Sequence, residues 1–147
     1  MRALIQRVSS ASVSIEGKIE GKIGQGIVVL LGVTHDDTEK DACFLADKCV
    51  NLRIFEDSDG KMNHSTLETK GGVLIISQFT LYGDASRGRR PSYSDAARPE
   101  TAIPLYEKFI SEVRKTGLET ETGRFGAEML VDIKNNGPVT LMIDTLI

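Results

Sequence analysis

The sequence predicts an α+β domain whose curved, barrel-like, mostly antiparallel β-sheet is covered by two main helices. About eight segments have the patterns of β-strands, and most of them follow one another directly along the chain. Only two segments space their apolar residues as a helix does, which is too few for a doubly wound parallel sheet. A chain of 147 residues without repeats or linkers suits one domain, spanning residues 1–147, with one substantial core.

The amino-terminal third predicts a hairpin followed by a buried strand. Leu4–Ile15 alternates β-branched and polar residues, and a Glu-Gly-Lys turn leads into a second short run that ends at Ile23. The segment Ile27–Val33 is continuously apolar and has the length of a strand that is buried on both faces.

Two helices are predicted, at about 39–51 and from Pro99 to the stop signal at Gly117. Candidate N-caps at 34–38 precede the first helix, and Pro99 suits the first turn of the second. Both helices carry apolar residues at intervals of three and four, which gives each one face for the core.

A third strand is predicted from Val73 to Tyr82. Its first four residues are apolar, and its continuation is polar, so it carries Ser77, Gln78 and Thr80 to the rim of the core. Backbone N–H groups at such a strand end could stabilise a developing oxyanion. In the alternative interpretation these hydroxyls only satisfy neighbouring backbone groups.

The loop at 83–98 is too long for a plain connector, so it is a candidate functional loop. It contains four arginines against two aspartates, and Tyr93 lies among them. This composition suits phosphate contacts together with stacking on an unpaired base. A solvated basic loop is the alternative.

The most informative stretch is Asn135–Thr140, which lies between alternating runs at 127–134 and 139–146. An Asn-Gly pair between two such runs predicts a hairpin. Pro138 lacks an N–H group, so Gly137 and Pro138 should protrude or lie at a strand edge. A cis bond there would turn the flanking carbonyls to one side as a polar claw; an ordinary hairpin with a trans proline is the other possibility.

Composition restricts the function classes. The net charge of −3 excludes a globally cationic nucleic-acid binder and leaves only a local basic patch. We expect reduced cysteines, a cytoplasmic location and no membrane span. His35 and His64 lack metal-ligand spacing, and the Asp57–Gly60 turn lacks the closing carboxylate of an EF-hand, so no cofactor or metal is expected. A Ser/His/Asp triad assembled in three dimensions stays open.

The segment Ser77–Thr80, taken together with Asn135–Thr140, resembles the paired signatures of the D-aminoacyl-tRNA deacylases, formerly called D-tyrosyl-tRNA deacylases. The resemblance extends over the whole chain and includes 2–13, 88–91 and 122–129. Two separate motifs in the right order make it specific.

The resemblance implies a homodimeric, metal-free hydrolase that cleaves the ester of D-aminoacyl-tRNA and of glycine mischarged onto alanine tRNA. It also implies that the active site lies at the subunit interface, and that a cis Gly137–Pro138 motif of one subunit enters the site of the other and excludes L side chains. The implied residues form four groups: catalytic Ser77, Gln78, Phe79 and Thr80; supporting Asn135, Val139 and Thr140; an adenosine pocket of Ala102, Phe125 and Met129; and phosphate contacts at Arg87, Arg89 and Arg90.

Several alternatives follow from the same residues. Thr80 could act as a covalent nucleophile, although no base is visible to activate it; the substrate's own 2′-hydroxyl could instead assist attack by water. A non-catalytic RNA-binding module would use the basic loop and leave the ester intact. A threonine-dependent esterase or amidase would act on small substrates without RNA.

Overall fold

The structure is a computed structural model and describes residues 1–146. Eight strands form two sheets: β1 Arg2–Ile15, β2 Lys18–Ile23, β3 Gly26–Gly32, β4 Phe55–Glu56, β5 Met62–His64, β6 Gly72–Ser77, β7 Thr120–Thr122 and β8 Leu130–Asp144. The helices are α1 Glu39–Asn51, α2 Thr66–Thr69, α3 Pro99–Lys115 and a 3-10 helix at Phe79–Tyr82. None of these helices is both long and apolar enough to cross a membrane.

The main sheet is built around β1. One edge of β1 pairs antiparallel with β8 over almost its whole length, and the other edge pairs first with β3 and then with β2. Strands β3, β6 and β7 continue the sheet in parallel. The far ends approach each other where Arg124 and Glu20 form an ion pair of 3.1 Å between β2 and the chain after β7. The predicted barrel-like α+β architecture is confirmed, with a mixed sheet that is nearly closed.

Strands β3 and β6 separate two hydrophobic cores. On one face Ile27, Val29 and Ile75 belong to a core shared with α1 and α3. On the other face Val28 and Leu74 belong to a smaller core inside the curved sheet. Both faces of these strands are therefore buried, as predicted for Ile27–Val33, and the same burial explains the apolar start of β6.

The strand predicted at Val73–Tyr82 is shorter than expected. It ends at Ser77, which pairs with Leu31 next to the end of β3. Beyond that point no ladder partner remains, so the chain turns and closes local hydrogen bonds from Leu81 N–H to the Gln78 carbonyl and from Gly83 N–H to the Thr80 carbonyl. The predicted polar strand end is therefore a 3-10 helix.

The prediction of a hairpin at Asn135–Thr140 is wrong. Both alternating runs belong to the single strand β8 and pair with β1 in the same direction. Gln6 pairs with Thr140 and Val8 pairs with Asn135, so two steps along β1 correspond to five along β8. The surplus is residues 136–138, which form a wide bulge. Because the runs before and after the bulge both pair with β1, they do not pair with each other as a hairpin.

Candidate active site

The end of β6 brings polar side chains and free backbone donors to one place. The Gln78 N–H group donates to the Leu31 carbonyl at 2.8 Å, and the Gln78 amide donates to the Thr80 hydroxyl. Within residues 1–146 the Phe79 and Thr80 N–H groups have no hydrogen-bond acceptor. Two adjacent donors at the start of a helix are suited to bind an anionic oxygen.

Arg2 fixes the other end of the 3-10 helix. It donates to the Leu81 carbonyl at 2.8 Å and to the Asp144 carboxylate at 2.8 Å, and its guanidinium lies 4.4 Å from the ring centre of Tyr82. Burial by itself would raise the pKa of Asp144, but the hydrogen bonds from Arg2 and from Leu146 N–H bring that pKa below its ordinary value. The Arg2–Asp144 pair is therefore charged at neutral pH.

A cavity of about 240 Å³ opens beside these groups. Its lining combines the end of β6 with the chain that leads into β8: Ile76, Ser77, Gln78, Phe79, Phe125, Gly126, Ala127, Met129 and Val131. The structure thus brings the expected catalytic segment together with two of the three residues expected around adenosine, Phe125 and Met129. Ala102, the third, lies on the buried face of α3, is only 6% exposed and does not line this cavity.

Phe125 and Met129 each pack against another residue outside the cavity lining. The Phe125 ring lies 6.1 Å from the Tyr106 ring, whose buried hydroxyl donates to the Ile75 carbonyl at 3.1 Å. Burial raises the pKa of Tyr106 to about 12, so this hydroxyl keeps its proton. Met129 lies directly over Gly123, where a Cβ atom would overlap its sulfur. The glycine at 123 therefore shapes the cavity.

The bulge of β8 forms an exposed claw, defined here as residues 136–138, and its Gly137–Pro138 peptide bond is cis. The Asn135 amide donates both to the Arg7 carbonyl on β1, at 2.9 Å, and to the Val139 carbonyl, at 3.1 Å, which closes the base of the claw. Val139 itself is 5% exposed and anchors the chain in the core. At the edge of the sheet, Gln6 donates to the Thr140 hydroxyl at 3.2 Å.

Arg7 holds the claw from beneath and was not among the residues expected from the sequence. Its guanidinium donates to the carbonyls of Ile54 at 2.6 Å, Asn136 at 3.1 Å and Gly137 at 3.3 Å. The sequence contains a signal from which the burial of Arg7 could have been predicted, because Arg7 lies on the same face of β1 as the buried Ala3 and Ile5. A charged residue on the apolar face of a strand needs buried partners.

The claw and the cavity of one chain lie apart. The claw faces Arg7 on β1, whereas Val131 of the cavity pairs with Val13. Six residues of strand separate these two positions, which corresponds to roughly 20 Å. The cavity lining includes none of the claw residues.

The basic loop forms a projecting hairpin beside the 3-10 helix. Asp84 and Ser92 exchange backbone hydrogen bonds of 2.8 and 2.9 Å, and the tip between them exposes Arg87, Arg89 and Arg90. None of the ion pairs found among residues 1–146 involves these three arginines. Their charges are available to an external anion.

The two histidines have other contacts. The His35 ring lies 2.6 Å from the Ser94 carbonyl, and the His64 ring lies 3.4 Å from the Glu68 carboxylate. Neither lines the cavity beside Ser77. Among residues 1–146 no three His, Cys, Asp or Glu side chains cluster as a metal site would require.

Comparison with known proteins identifies the family. The family model described as D-Tyr-tRNA(Tyr) deacylase matches residues 4–144. The chain belongs to this family. A D-aminoacyl-tRNA deacylase of Fervidobacterium nodosum is 63% identical over 145 residues, which are 99% of this chain and 97% of the relative. The protein of the same name from Bacillus cereus is 57% identical and is covered to 99%, as is this chain. The resemblance based on the two signatures is confirmed, and the chain is an ester-hydrolysing enzyme of the deacylase class.

Two solved structures share the fold. A c-Myc DNA unwinding element binding protein superposes with a TM-score of 0.92 at 40% identity, and 99% of each chain is covered. A probable eukaryotic D-amino acid tRNA deacylase superposes with a TM-score of 0.83 at 19% identity, with 97% of each chain covered. The second similarity concerns the fold alone.

We predict that Arg7→Met lowers the free energy of unfolding by about 2–4 kcal/mol, because three backbone carbonyls lose a charged, buried donor. Urea unfolding of the two proteins measures the difference. The matched control is Arg53→Met, which alters an exposed arginine and should change stability by less than about 0.5 kcal/mol. Equal effects of the two substitutions would contradict the role assigned to Arg7.

Proposed function

We propose that the protein hydrolyses the ester that joins a D-amino acid to the terminal adenosine of tRNA, as a step of translation quality control. One observation carries this proposal: the Phe79 and Thr80 N–H groups, which have no acceptor among residues 1–146, lie at the end of β6 beside a cavity of about 240 Å³ that both apolar and polar groups line. Family membership supports the substrate class, and the geometry offers N–H donors for the acyl oxygen and a cavity for the terminal adenosine.

The proposed reaction does not require a side chain to act as a nucleophile. An aminoacyl ester is already activated, so orientation and stabilisation of the oxyanion can supply much of the rate. Water adds to the acyl carbon, the two N–H groups hold the resulting oxyanion, and the 3′-oxygen leaves with a proton. The neighbouring 2′-hydroxyl of the substrate assists the attack of water. The products are a free D-amino acid and intact tRNA.

The binding contacts follow from the placement of the cavity and the basic loop. Phe125 and Met129 would hold the adenine base, while Ser77 and Gln78 face it from β6. Arg87, Arg89 and Arg90 would contact phosphates of the tRNA. The overall charge of −3 makes this local patch the attractive region for RNA.

We propose further that the claw of a second subunit completes the site and rejects L-amino acids. Carbonyls of Gly137 and Pro138 would occupy the space that an L side chain needs and leave room for a D side chain or a hydrogen atom. Glycine mischarged onto alanine tRNA would then be accepted. Each tenfold preference requires about 1.4 kcal/mol, and a clash with rigid backbone supplies several such steps. The anchoring by Arg7, Asn135 and Val139 supplies the rigidity.

A homodimer is supported by the outer edge of β8. Among the described residues this strand pairs only with β1, so its other edge is free along 15 residues. The strand also exposes Leu130, Leu141 and Met142 at 76%, 41% and 49%. A long, partly apolar edge is normally covered. A partner on this edge would sit beside the claw, which also lies on β8.

A non-catalytic nucleic-acid binder is the second candidate. It is favoured by the exposed arginine tip and by the similarity to the c-Myc DNA unwinding element binding protein. Deacylation of D-Tyr-tRNA and L-Tyr-tRNA, measured side by side with purified protein, separates the candidates. Selective loss of the D ester supports the deacylase, whereas a binder would leave both esters at their rates in buffer.

Deletion of residues 136–138 should abolish chiral selection and keep the pairing of β1 with β8, at some cost in stability because Arg7 loses two of its three carbonyl acceptors. The deletion places Arg7 opposite Val139 and keeps Val8 opposite Asn135, so the register between Gln6 and Val8 becomes regular, while the smaller shift between Val8 and Ser10 remains. We expect the D/L rate ratio to fall by about a hundredfold or more, mainly because the L ester is now cleaved. Circular dichroism and urea unfolding serve as controls for folding. A folded deletion variant that still rejects L-Tyr-tRNA would contradict the filter.

Thr80→Val should keep the rate on D-Tyr-tRNA within about tenfold, because the Thr80 N–H group, and not its hydroxyl, holds the oxyanion. Thr80→Ser, which retains a hydroxyl, is the matched control. Single-turnover rates measure the chemical step. If Thr80→Val loses about a thousandfold or more while Thr80→Ser stays active, the threonine is the nucleophile instead.

Subunit mixing tests whether the claw acts in trans. Ala127→Trp should fill the cavity and remove activity, but it leaves the claw intact. Adding this inactive chain in excess to the 136–138 deletion variant should suppress cleavage of the L ester and preserve cleavage of the D ester. A chain with both changes is the control and should restore nothing. Unchanged D/L ratios after subunit exchange would place the claw in its own subunit's site.

A further inference from the structure

The side chains of Phe79 and Tyr93 form an exposed aromatic pair at the rim of the cavity. Their ring centres lie 5.3 Å apart at an angle of 72°, in an edge-to-face arrangement. Phe79 is 54% exposed and Tyr93 is 43% exposed. Burial of such rings would be favourable, so an exposed pair of this kind requires an explanation. The backbone role proposed for Phe79 does not use either ring.

The pair is held in place before any ligand binds. The Tyr93 ring lies over Gly83, where a Cβ atom would come within 2.9 Å of the ring. Beside it, the ladder of Asp84 and Ser92 closes the loop, and Ala97 N–H donates to the Val33 carbonyl at 2.9 Å. The base of the loop is therefore tied to the main sheet, and only the arginine tip projects. A rigid aromatic surface binds without a large cost in conformational entropy.

The surroundings of the pair indicate the ligand. Phe79 lines the cavity proposed for adenosine, so the pair continues that site outward. On the other side the same loop carries Arg87, Arg89 and Arg90. An aromatic surface between a nucleoside-sized cavity and exposed cations suits an unpaired base of an RNA chain whose more distant phosphates reach the arginines.

We propose that Phe79 and Tyr93 form a stacking surface for the unpaired nucleotides that precede the terminal adenosine of tRNA. The inference rests on the proposed function. The enzyme then recognises the single-stranded 3′ end as a unit, with the last base in the cavity and the preceding base against the rings. Stacking tolerates any base, so the surface adds affinity without requiring a particular sequence.

The test compares two small substrates, D-tyrosine esterified to adenosine and D-tyrosine esterified to the trinucleotide CCA. With the unaltered protein we expect the KM of the trinucleotide ester to be about tenfold lower, at similar kcat, which is the size of effect that stacking of one base produces. Tyr93→Leu should reduce this difference to less than about twofold and leave kcat on the adenosine ester unchanged. Tyr93→Phe keeps a ring and should restore the preference.

The outcomes separate this inference from the proposed function. If the unaltered protein cleaves both esters with the same KM, the two added nucleotides do not contribute to binding. That result would overturn the stacking inference and leave the proposed deacylase function intact. If Tyr93→Leu lowers activity equally on the adenosine ester and on the trinucleotide ester, Tyr93 has a structural role, and the inference is also overturned. If neither D ester nor D-Tyr-tRNA is cleaved, the proposed function itself fails.

The arginines provide an independent check with whole D-Tyr-tRNA. A triple variant with glutamine at 87, 89 and 90 should lower the salt dependence of KM by about one unit of slope for each lost phosphate contact. The preference for the trinucleotide ester over the adenosine ester should largely remain, because it depends on the rings. Loss of that preference in the triple variant would assign the effect to charge and contradict stacking.

Discussion

The structure depends on the pairing of β1 with three other strands. Strand β8 occupies one edge of β1 over almost its full length, and β3 and β2 share the other edge. This arrangement curves the sheet towards closure and leaves β8 as a long outer strand. Because β8 also carries both Val131 of the cavity and the claw, the geometry of the whole candidate site follows from its register on β1.

That register places the cavity and the claw about 20 Å apart within one chain. The cavity side is built from strand ends, with donors at Phe79 and Thr80 and apolar walls at Phe125 and Met129. The claw side is built from a bulge fastened by Arg7 and Asn135. If the claw selects the substrate, as we propose, a second copy of the chain must bring it to the cavity, and the exposed edge of β8 is a suitable surface for that contact.

Much of the fold was predictable because its signals are local. The hairpin of β1 and β2, the helix at Glu39–Asn51 and the start of α3 at Pro99 agree with the alternation, capping and proline signals. Two predictions failed where a distant partner decided the outcome. The strand at Val73–Tyr82 ended early because β3 ends beside it, and the hairpin at Asn135–Thr140 became a bulge because β1 pairs with both of its flanking runs.

The sequence by itself determined the family, the two motifs and those elements whose signals lie in adjacent residues, such as the first hairpin, α1 and the start of α3. Only the tertiary structure decided that Arg7 supports the claw from another strand, that Ala102 belongs to the core and that Phe79 meets Tyr93. The physical reason is the same in each case. Burial and hydrogen-bond partners are set by strand pairing between residues far apart in the chain, and local pattern does not specify which distant strands will pair.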